Sequence, residues 1–176
     1  MQKKCGTGAM YFDGGGDVLL VRPSNFDFGS GEYTVEFWTN VSTWHVYDQF
    51  IGQWAANGAN DVFQFANFKG AIGILLNESN FKSSGVSTSS IATNTWHHFA
   101  FVRSGSTTKF YLNGTGYTVV DNPSWTVQTN RSVGIGRVDT QTGFGITGYI
   151  DDLRITKGVA RYTTNFTPSD RAFPDR

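Results

Sequence analysis

Glu32-Tyr33-Thr34-Val35-Glu36-Phe37-Trp38-Thr39-Asn40-Val41 is the stretch on which the fold turns. Apolar and polar residues alternate along it with period two, the pattern of a strand with one face buried. Tyr33, Val35, Phe37 and Val41 share a face that reads as core. Thr34, Glu36, Trp38 and Asn40 share the other, which reads as solvent or as a binding surface carrying one large aromatic. β-Branched and aromatic residues dominate the stretch and suit a pleated surface. Nothing in it, or elsewhere in the chain, keeps the 3.6-residue apolar period of a helix.

Similar segments follow on both sides at regular spacing. Val18 to Arg22 is short and apolar, stopped by Pro23. Phe50 to Trp54, Val62 to Asn67 and Ala71 to Asn77 read as a meander with a turn near Gly70. Trp96 to Arg103 is apolar on both faces, as expected of a strand covered from two sides. Trp96 itself is assigned to the core. Lys109 to Leu112 ends at Asn113-Gly114, the strongest short-range turn signal in the chain. Arg131 to Arg137 and Gly148 to Thr156 complete the set, and Tyr162 to Pro168 reads as an extended tail packed through Tyr162 and Phe166. Many short strands with Gly-rich turns predict an all-β fold: a two-sheet antiparallel β-sandwich, or jelly roll, as a single domain over residues 1–176.

Composition narrows the function. Formal net charge is zero and charged residues are only 16% of the chain, while aromatics reach 15%. Nucleic acid requires clustered Lys and Arg to displace counterions, and no basic run exceeds Lys3-Lys4, so nucleic acid is excluded as a partner. A weakly charged, aromatic-rich surface suits sugars or other protein surfaces. Cys5, the lone cysteine, makes no internal disulfide. No stretch has the form of a signal peptide or of an apolar membrane span, so membrane insertion is not expected.

Three ordered stretches carry a family likeness. They are Met10-Tyr11-Phe12-Asp13-Gly14 with Asp17 and Phe26-Asp27-Phe28; Trp96-His97-His98-Phe99-Ala100-Phe101-Val102-Arg103 with Phe110-Tyr111-Leu112-Asn113-Gly114; and Gly148-Tyr149-Ile150-Asp151-Asp152-Leu153-Arg154-Ile155, running on through Gly158 to Pro168. In this order and spacing they resemble the laminin G-like (concanavalin A-like lectin/glucanase) domains of the pentraxin-like branch. The closing stretch, Tyr149 to Pro168, is similar to copies in bacteriophage tail and other virion proteins and in large bacterial surface proteins. The resemblance implies a location on a virion or extracellular surface and an adhesive or structural role. Its partners would be a glycan or other virion or surface proteins. Homo-oligomers are common among such adhesins, although no heptad repeat here argues for one. The fold alone names no ligand, because it hosts lectins, enzymes and scaffolds alike.

Candidate ligand residues follow from sugar chemistry. Pyranose rings stack their C–H faces on Trp and Tyr while Asn, Asp and Gln hold hydroxyls. Trp44, Tyr47 and Trp54 with Asn57 and Asp61 form one such mixture, and Trp125 with Asn122 another. His45 and Asp48 read as a solvated pair. Counting back from Leu153 and Ile155 puts Asp151 on the inward face, where a carboxylate is costly unless it is paired or bound to metal. Many members of the resembled superfamily hold a structural calcium near the sheet edge with an acidic residue at this place. The resemblance therefore implies a Ca2+ site of Asp151 with Asp13 or Asp17 and nearby carbonyls. The alternative is that Asp151 receives backbone amides. Asp152 reads as the surface partner of Arg154.

Glycan hydrolysis needs two carboxylates flanking the scissile bond. Glu32 and Glu36 share a face, but the Glu-x-Asp cluster of the glucanase relatives is absent, and Asp151 and Asp152 face opposite ways. No nucleophile elbow or His-Glu-x-x-His motif occurs. The expectation is a non-catalytic module.

Overall fold

The computed structural model describes residues 3–22, 26–54, 63–76, 80–121, 132–138 and 143–174. Among them, strands pair into two six-stranded antiparallel sheets. The first has the order β1 (Met10–Asp13), β12 (Thr147–Lys157), β3 (Tyr33–Thr43), β8 (His97–Ser104), β9 (Thr107–Leu112), β10 (Thr115–Asp121). The second has the order β2 (Leu19–Val21), β11 (Val133–Ile135), β4 (Tyr47–Gly52), β5 (Phe63–Phe68), β6 (Ala71–Leu76), β7 (Asn80–Ser87). This is the jelly-roll sandwich that the alternation predicts. Asn57, Asp61 and Trp125 lie outside the described residues. No helix among the described residues is long and apolar enough to cross a membrane.

The core is largely aromatic. Phe65 of the second sheet stacks on Phe101 of the first with centroids 4.3 Å apart, and Phe50 meets both Phe37 and Phe99 at 5.7 and 5.3 Å. Tyr33, Val35, Phe37 and Val41 all face this core, as their parity requires.

The opposite face of β3 departs from expectation. Thr34, Glu36, Trp38 and Asn40 are buried as deeply as the core residues, because the chain's own ends lie across them. Val159 carbonyl accepts from Thr34 Oγ1 at 3.0 Å, and the Tyr162 hydroxyl donates to Glu36 Oε2 at 2.8 Å. Tyr162 and Phe166 stack on each other at 3.5 Å and close over Ala100, Val102 and Tyr111. The tail is tied down by backbone bonding: Phe166 N–H donates to Gly114 carbonyl at 3.0 Å. Gly114 has φ +82°, and a Cβ there would sit on the Phe166 carbonyl, so the Asn113-Gly114 turn and the tail both require glycine. Trp38 packs under the Lys4 ammonium, 4.3 Å from the ring centroid, so it is not available as a binding surface.

Glu36 is the centre of this covered face. Arg154 reaches its Oε1 with Nη2 at 2.7 Å and Nε at 2.8 Å, and His98 Nε2 stands 3.3 Å from Oε2. Burial would push its carboxyl up. Hydrogen bonds from His98, Tyr162 and Arg154 outweigh burial and hold it below its ordinary value. Burial, with the Glu36 charge beside it, pushes the Tyr162 phenol up to about 12.

A β-bulge in β12 overturns the inward reading of Asp151. The register passes from Asp151 opposite Trp38 to Arg154 opposite Glu36, so Asp152 and Leu153 together face Phe37. Asp152 takes φ +51° to absorb the extra residue. Parity counted back from Ile155 therefore fails by one, and Asp151 shares the outer face with Trp38. The expected Asp152–Arg154 pair is likewise replaced: Arg154 goes to Glu36, and Asp152 accepts Phe173 N–H at 3.0 Å.

Candidate functional site

On the second sheet the outward side chains of β4, β5 and β6 line a depression, with Gln49, Gln64, Ala66 and Leu75 buried at its floor and Tyr47 and Phe68 half-buried at its wall. Across the β5–β6 ladder Gln64 faces Leu75, Ala66 faces Gly73 and Phe68 faces Ala71. The small Ala66–Gly73 rung between bulkier neighbours makes a trough. A bulge in β4 carries the register from Gln49 opposite Ala66 to Ile51 opposite Phe65, which sends Phe50 and Ile51 into the core and leaves Gln49 outward. Gly52 lies opposite Gln64, where a Cβ would meet the Gln64 Cα at 2.8 Å. Glycine there lets the two strands carry Gln64 close in.

The result is a cleft of about 250 Å³ lined by Tyr47, Gln49, Trp54, Gln64, Ala66, Asn67, Phe68, Leu75 and Phe144. Its aromatic wall is braced ring against ring. Tyr47 lies 5.0 Å from Phe68 and 5.5 Å from Phe144, and Phe68 stacks on Phe81 at 5.1 Å. The segment bearing Phe144 is fixed to β4 by Gln49 N–H donating to Phe144 carbonyl at 2.8 Å.

Polar groups at the cleft are amides in a defined order. Gln49 Oε1 accepts Val138 N–H at 3.2 Å, and Gln49 Nε2 donates to Gln64 Oε1 at 3.0 Å. A backbone N–H can only donate, so it fixes which end of the Gln49 amide is oxygen and, through it, the orientation of Gln64. Gln64 Nε2 then has no hydrogen-bond partner among the described residues, although Gln64 is 2% exposed. Asn67 is fully engaged on its donor side, giving Nδ2 to His45 carbonyl and to Asp48 Oδ2, each at 2.8 Å. Asp48 also accepts His45 N–H at 3.0 Å and sits 2.7 Å from His45 Nδ1. Asp48 is fully buried while the His45 side chain stays exposed, so the solvated pair is only half realised: the carboxylate clamps β4 to β5 through Asn67 and meets the imidazole at the surface.

Residues 13–161 match the family described as the concanavalin A-like lectin/glucanases superfamily. The chain belongs to that superfamily. A search of curated proteins found no match. Among solved structures, the chain is similar to domain 4 of an extracellular GH43 arabinanase from Geobacillus stearothermophilus, solved with arabinotriose. Identity is 21% and the TM-score 0.60, covering 88% of this chain and 78% of that one. It is also similar to the CBM40 of the Ruminococcus gnavus IT-sialidase bound to α2,3-sialyllactose, at 9% identity and TM-score 0.66 over 89% and 92% of the two chains. A putative carbohydrate-binding protein from Bacteroides ovatus matches at 18% identity and TM-score 0.61 over 82% of this chain, which spans 42% of that protein. At these identities the likeness establishes the fold.

Against the superfamily's frame, the sequence-predicted site residues separate. Tyr47 and Trp54 enter the cleft. Trp44 does not: it packs on the core, its ring 6.1 Å from Phe50 and its Nε1 donating to Ile91 carbonyl at 3.2 Å. Trp96, assigned to the core, is instead half-buried with its ring 6.3 Å from Tyr149. Gln49, Gln64, Phe68 and Phe144 were not named from sequence. For Gln64 and Phe68 the signal was present, since they fall on the opposite parity to Phe63 and Phe65.

The calcium set is not brought together. Asp151 Oδ2 accepts the N–H groups of Lys4 and Cys5 at 2.8 and 2.9 Å, and its Oδ1 accepts Asp152 N–H at 2.8 Å. Asp13 pairs with Thr147, four residues from Asp151, a separation of about 13 Å along the strand. Asp13 Oδ1 accepts Gly15 N–H and Asp17 Oδ2 accepts Asp13 N–H, closing their own turn. Among the described residues no three such ligands cluster. These three aspartates do not fit a shared calcium site.

Proposed function

We propose that this protein is a non-catalytic carbohydrate-binding module whose binding surface is the cleft on β4, β5 and β6. One observation carries the reading: a ring-braced aromatic wall stands over buried amides, one of which keeps a donor without a partner among the described residues. Apolar faces for C–H stacking beside a few fixed polar groups are what a sugar requires. The arabinotriose and sialyllactose bound by similar structures support it. The lining among the described residues contains no carboxylate, and Glu36 is committed beneath the tail, which supports binding without hydrolysis.

The setting we infer is a virion or cell surface where the module recognises host glycan. Its support is the resemblance of Tyr149 to Pro168 to phage tail and bacterial surface proteins. The test is a glycan array with the wild-type protein and the Tyr47→Ala and Trp54→Ala variants, followed by adsorption to host cells competed with surface polysaccharide. Wild-type signal lost by about fivefold or more in either variant supports the cleft, since one stacked aromatic is worth about 1 kcal/mol. Signal that survives both variants moves the site elsewhere. No glycan signal at all, with stoichiometric incorporation into particles, overturns the reading in favour of a purely structural sandwich.

A further inference from the structure

Resting on the assignment of the cleft as a sugar site, we propose that it takes an uncharged sugar unit and rejects acidic ones, with Gln64 Nε2 as the donor that reads a sugar oxygen. The described lining contains aromatic, aliphatic and amide side chains and no Arg, Lys, Asp or Glu. A sialic or uronic acid carboxylate placed there would shed its water with no guanidinium or ammonium to replace it, and an unpaired buried charge is strongly disfavoured. Among the described residues, the charged groups beside the lining do not change this. Arg137, next to Val138, is buried and gives its guanidinium to the Val138 and Gly16 carbonyls at 3.1 and 3.0 Å. The Lys69 ammonium lies 5.5 Å over the outer rim ring, Phe68, and is exposed to solvent. Asp48, beneath Asn67, has the wrong sign for an anion and is already engaged.

The donor is defined by the relay described above. Val138 N–H, the Gln49 amide and the Gln64 amide form a chain in which each member accepts from the one before, so the last must present its NH2 end. Hydrogen bonds in sequence polarise one another, and the buried Gln64 NH2, without an acceptor among the described residues, carries a penalty that a ligand oxygen relieves once the side chain turns into the cleft. Sugar hydroxyl, ring and glycosidic oxygens are such acceptors and bring no charge.

The test is calorimetric titration of the wild type with neutral oligosaccharides, arabinotriose among them, and with sialyllactose and oligogalacturonate. Each titration is repeated in Tyr47→Ala and in Gln64→Glu. The Glu variant still accepts from Gln49, replaces the free donor with an acceptor oxygen and adds a negative charge; thermal melting, repeated at a pH low enough to protonate the carboxyl, reports whether the fold is intact and separates the lost donor from the added charge. The proposal expects at least about tenfold preference for a neutral ligand, affinity unchanged when salt is raised severalfold, and about tenfold weaker binding in folded Gln64→Glu. An acidic ligand bound preferentially, with binding lost in Tyr47→Ala, overturns the proposal while leaving the cleft as the sugar site. Neutral binding unaffected by Gln64→Glu removes Gln64 as the reader. Absence of any Tyr47-dependent binding overturns the proposal together with the site.

Discussion

The first sheet turns Thr34, Glu36, Trp38 and His98 away from the core, and the second turns Gln49, Gln64, Ala66 and Phe68 away from it. Both outer faces mix aromatic rings with groups able to hydrogen-bond. On the first, the neighbouring strand β12 gives Arg154 to Glu36, and the chain's ends supply the rest: Tyr162 for Glu36, Lys4 for the Trp38 ring, and Phe166 against the His98 ring at 5.7 Å. On the second, the aromatic wall braces itself, and the amide relay ends in a donor with nothing to bind among the described residues. Faces of like chemistry thus serve opposite purposes, and the difference lies in what covers them. Tail contacts make the first face a second core. On the second, the Gln64 amide keeps a donor without a partner among the described residues, which is the basis of the proposed binding role.

The sharpest way to break this comparison is to uncover the first sheet. Truncation after Arg161 removes Tyr162 and Phe166 from Ala100, Val102 and Tyr111 and takes one hydrogen bond from Glu36. Full burial of a large aromatic is worth about 1.5–3 kcal/mol, and Tyr162 and Phe166 are partly buried, so with the lost Glu36 hydrogen bond a loss of about 3 kcal/mol is expected in denaturant unfolding. Total stabilities are only about 5–15 kcal/mol, and a truncated chain that unfolds at the wild-type midpoint would refute the tail's structural role.

Glu36→Gln tests the centre of the same face. Removing one partner of a buried pair leaves Arg154 uncompensated and costs about 3 kcal/mol at neutral pH. The pH dependence follows from the direction of the shift. Glu36 in the fold lies below its ordinary value of 4.5, so the unfolded chain binds this proton more readily than the folded one. Its stabilisation is complete above pH 4.5 and declines as pH falls through the folded value. Melting temperatures of wild type and Glu36→Gln should therefore converge on acidification below pH 4.5; curves that stay parallel would deny that the carboxylate is the stabilising form.

How far all this could be read from sequence depends on the residue. Alternation exposed the core face of β3 because Tyr33, Val35, Phe37 and Val41 keep strict parity. It also gave the double-sided burial of β8, although not that the cover over Ala100 and Val102 is the tail's Tyr162 and Phe166. What it could not show is where parity breaks. The β12 bulge displaces Asp151 by one register step, and the β4 bulge turns Gln49 outward, yet neither is marked by a glycine or proline at the bulge. Trp44, in a loop, and Trp54, at a strand end, offer equal claims as ligand rings; only three-dimensional packing sends one to Phe50 and the other to the cleft. Glu36 read as an exposed acid because its partners, Arg154 and Tyr162, are more than a hundred residues away.

Asp151 offers the smallest effect and the finest discrimination. As a receiver of three backbone N–H groups, it pins the N-terminal segment over Trp38 with a carboxylate that donates nothing. In Asp151→Asn one end of the side chain becomes an NH2 that cannot accept, so at least one of those amides loses its partner. Hydrogen bonds to a charged acceptor are worth about 1.5–3 kcal/mol, and part of the set survives, so a destabilisation of about 1.5 kcal/mol is expected. An amide-receiving role predicts the same loss with calcium or with chelator, because no cation takes part. A metal-ligating role predicts that calcium raises the wild-type melting temperature and that the substitution abolishes this rise. Melting both proteins in the two conditions separates the roles: a calcium-dependent gap between them would mean that the covered face of the first sheet is completed by an ion as well as by the chain's own ends.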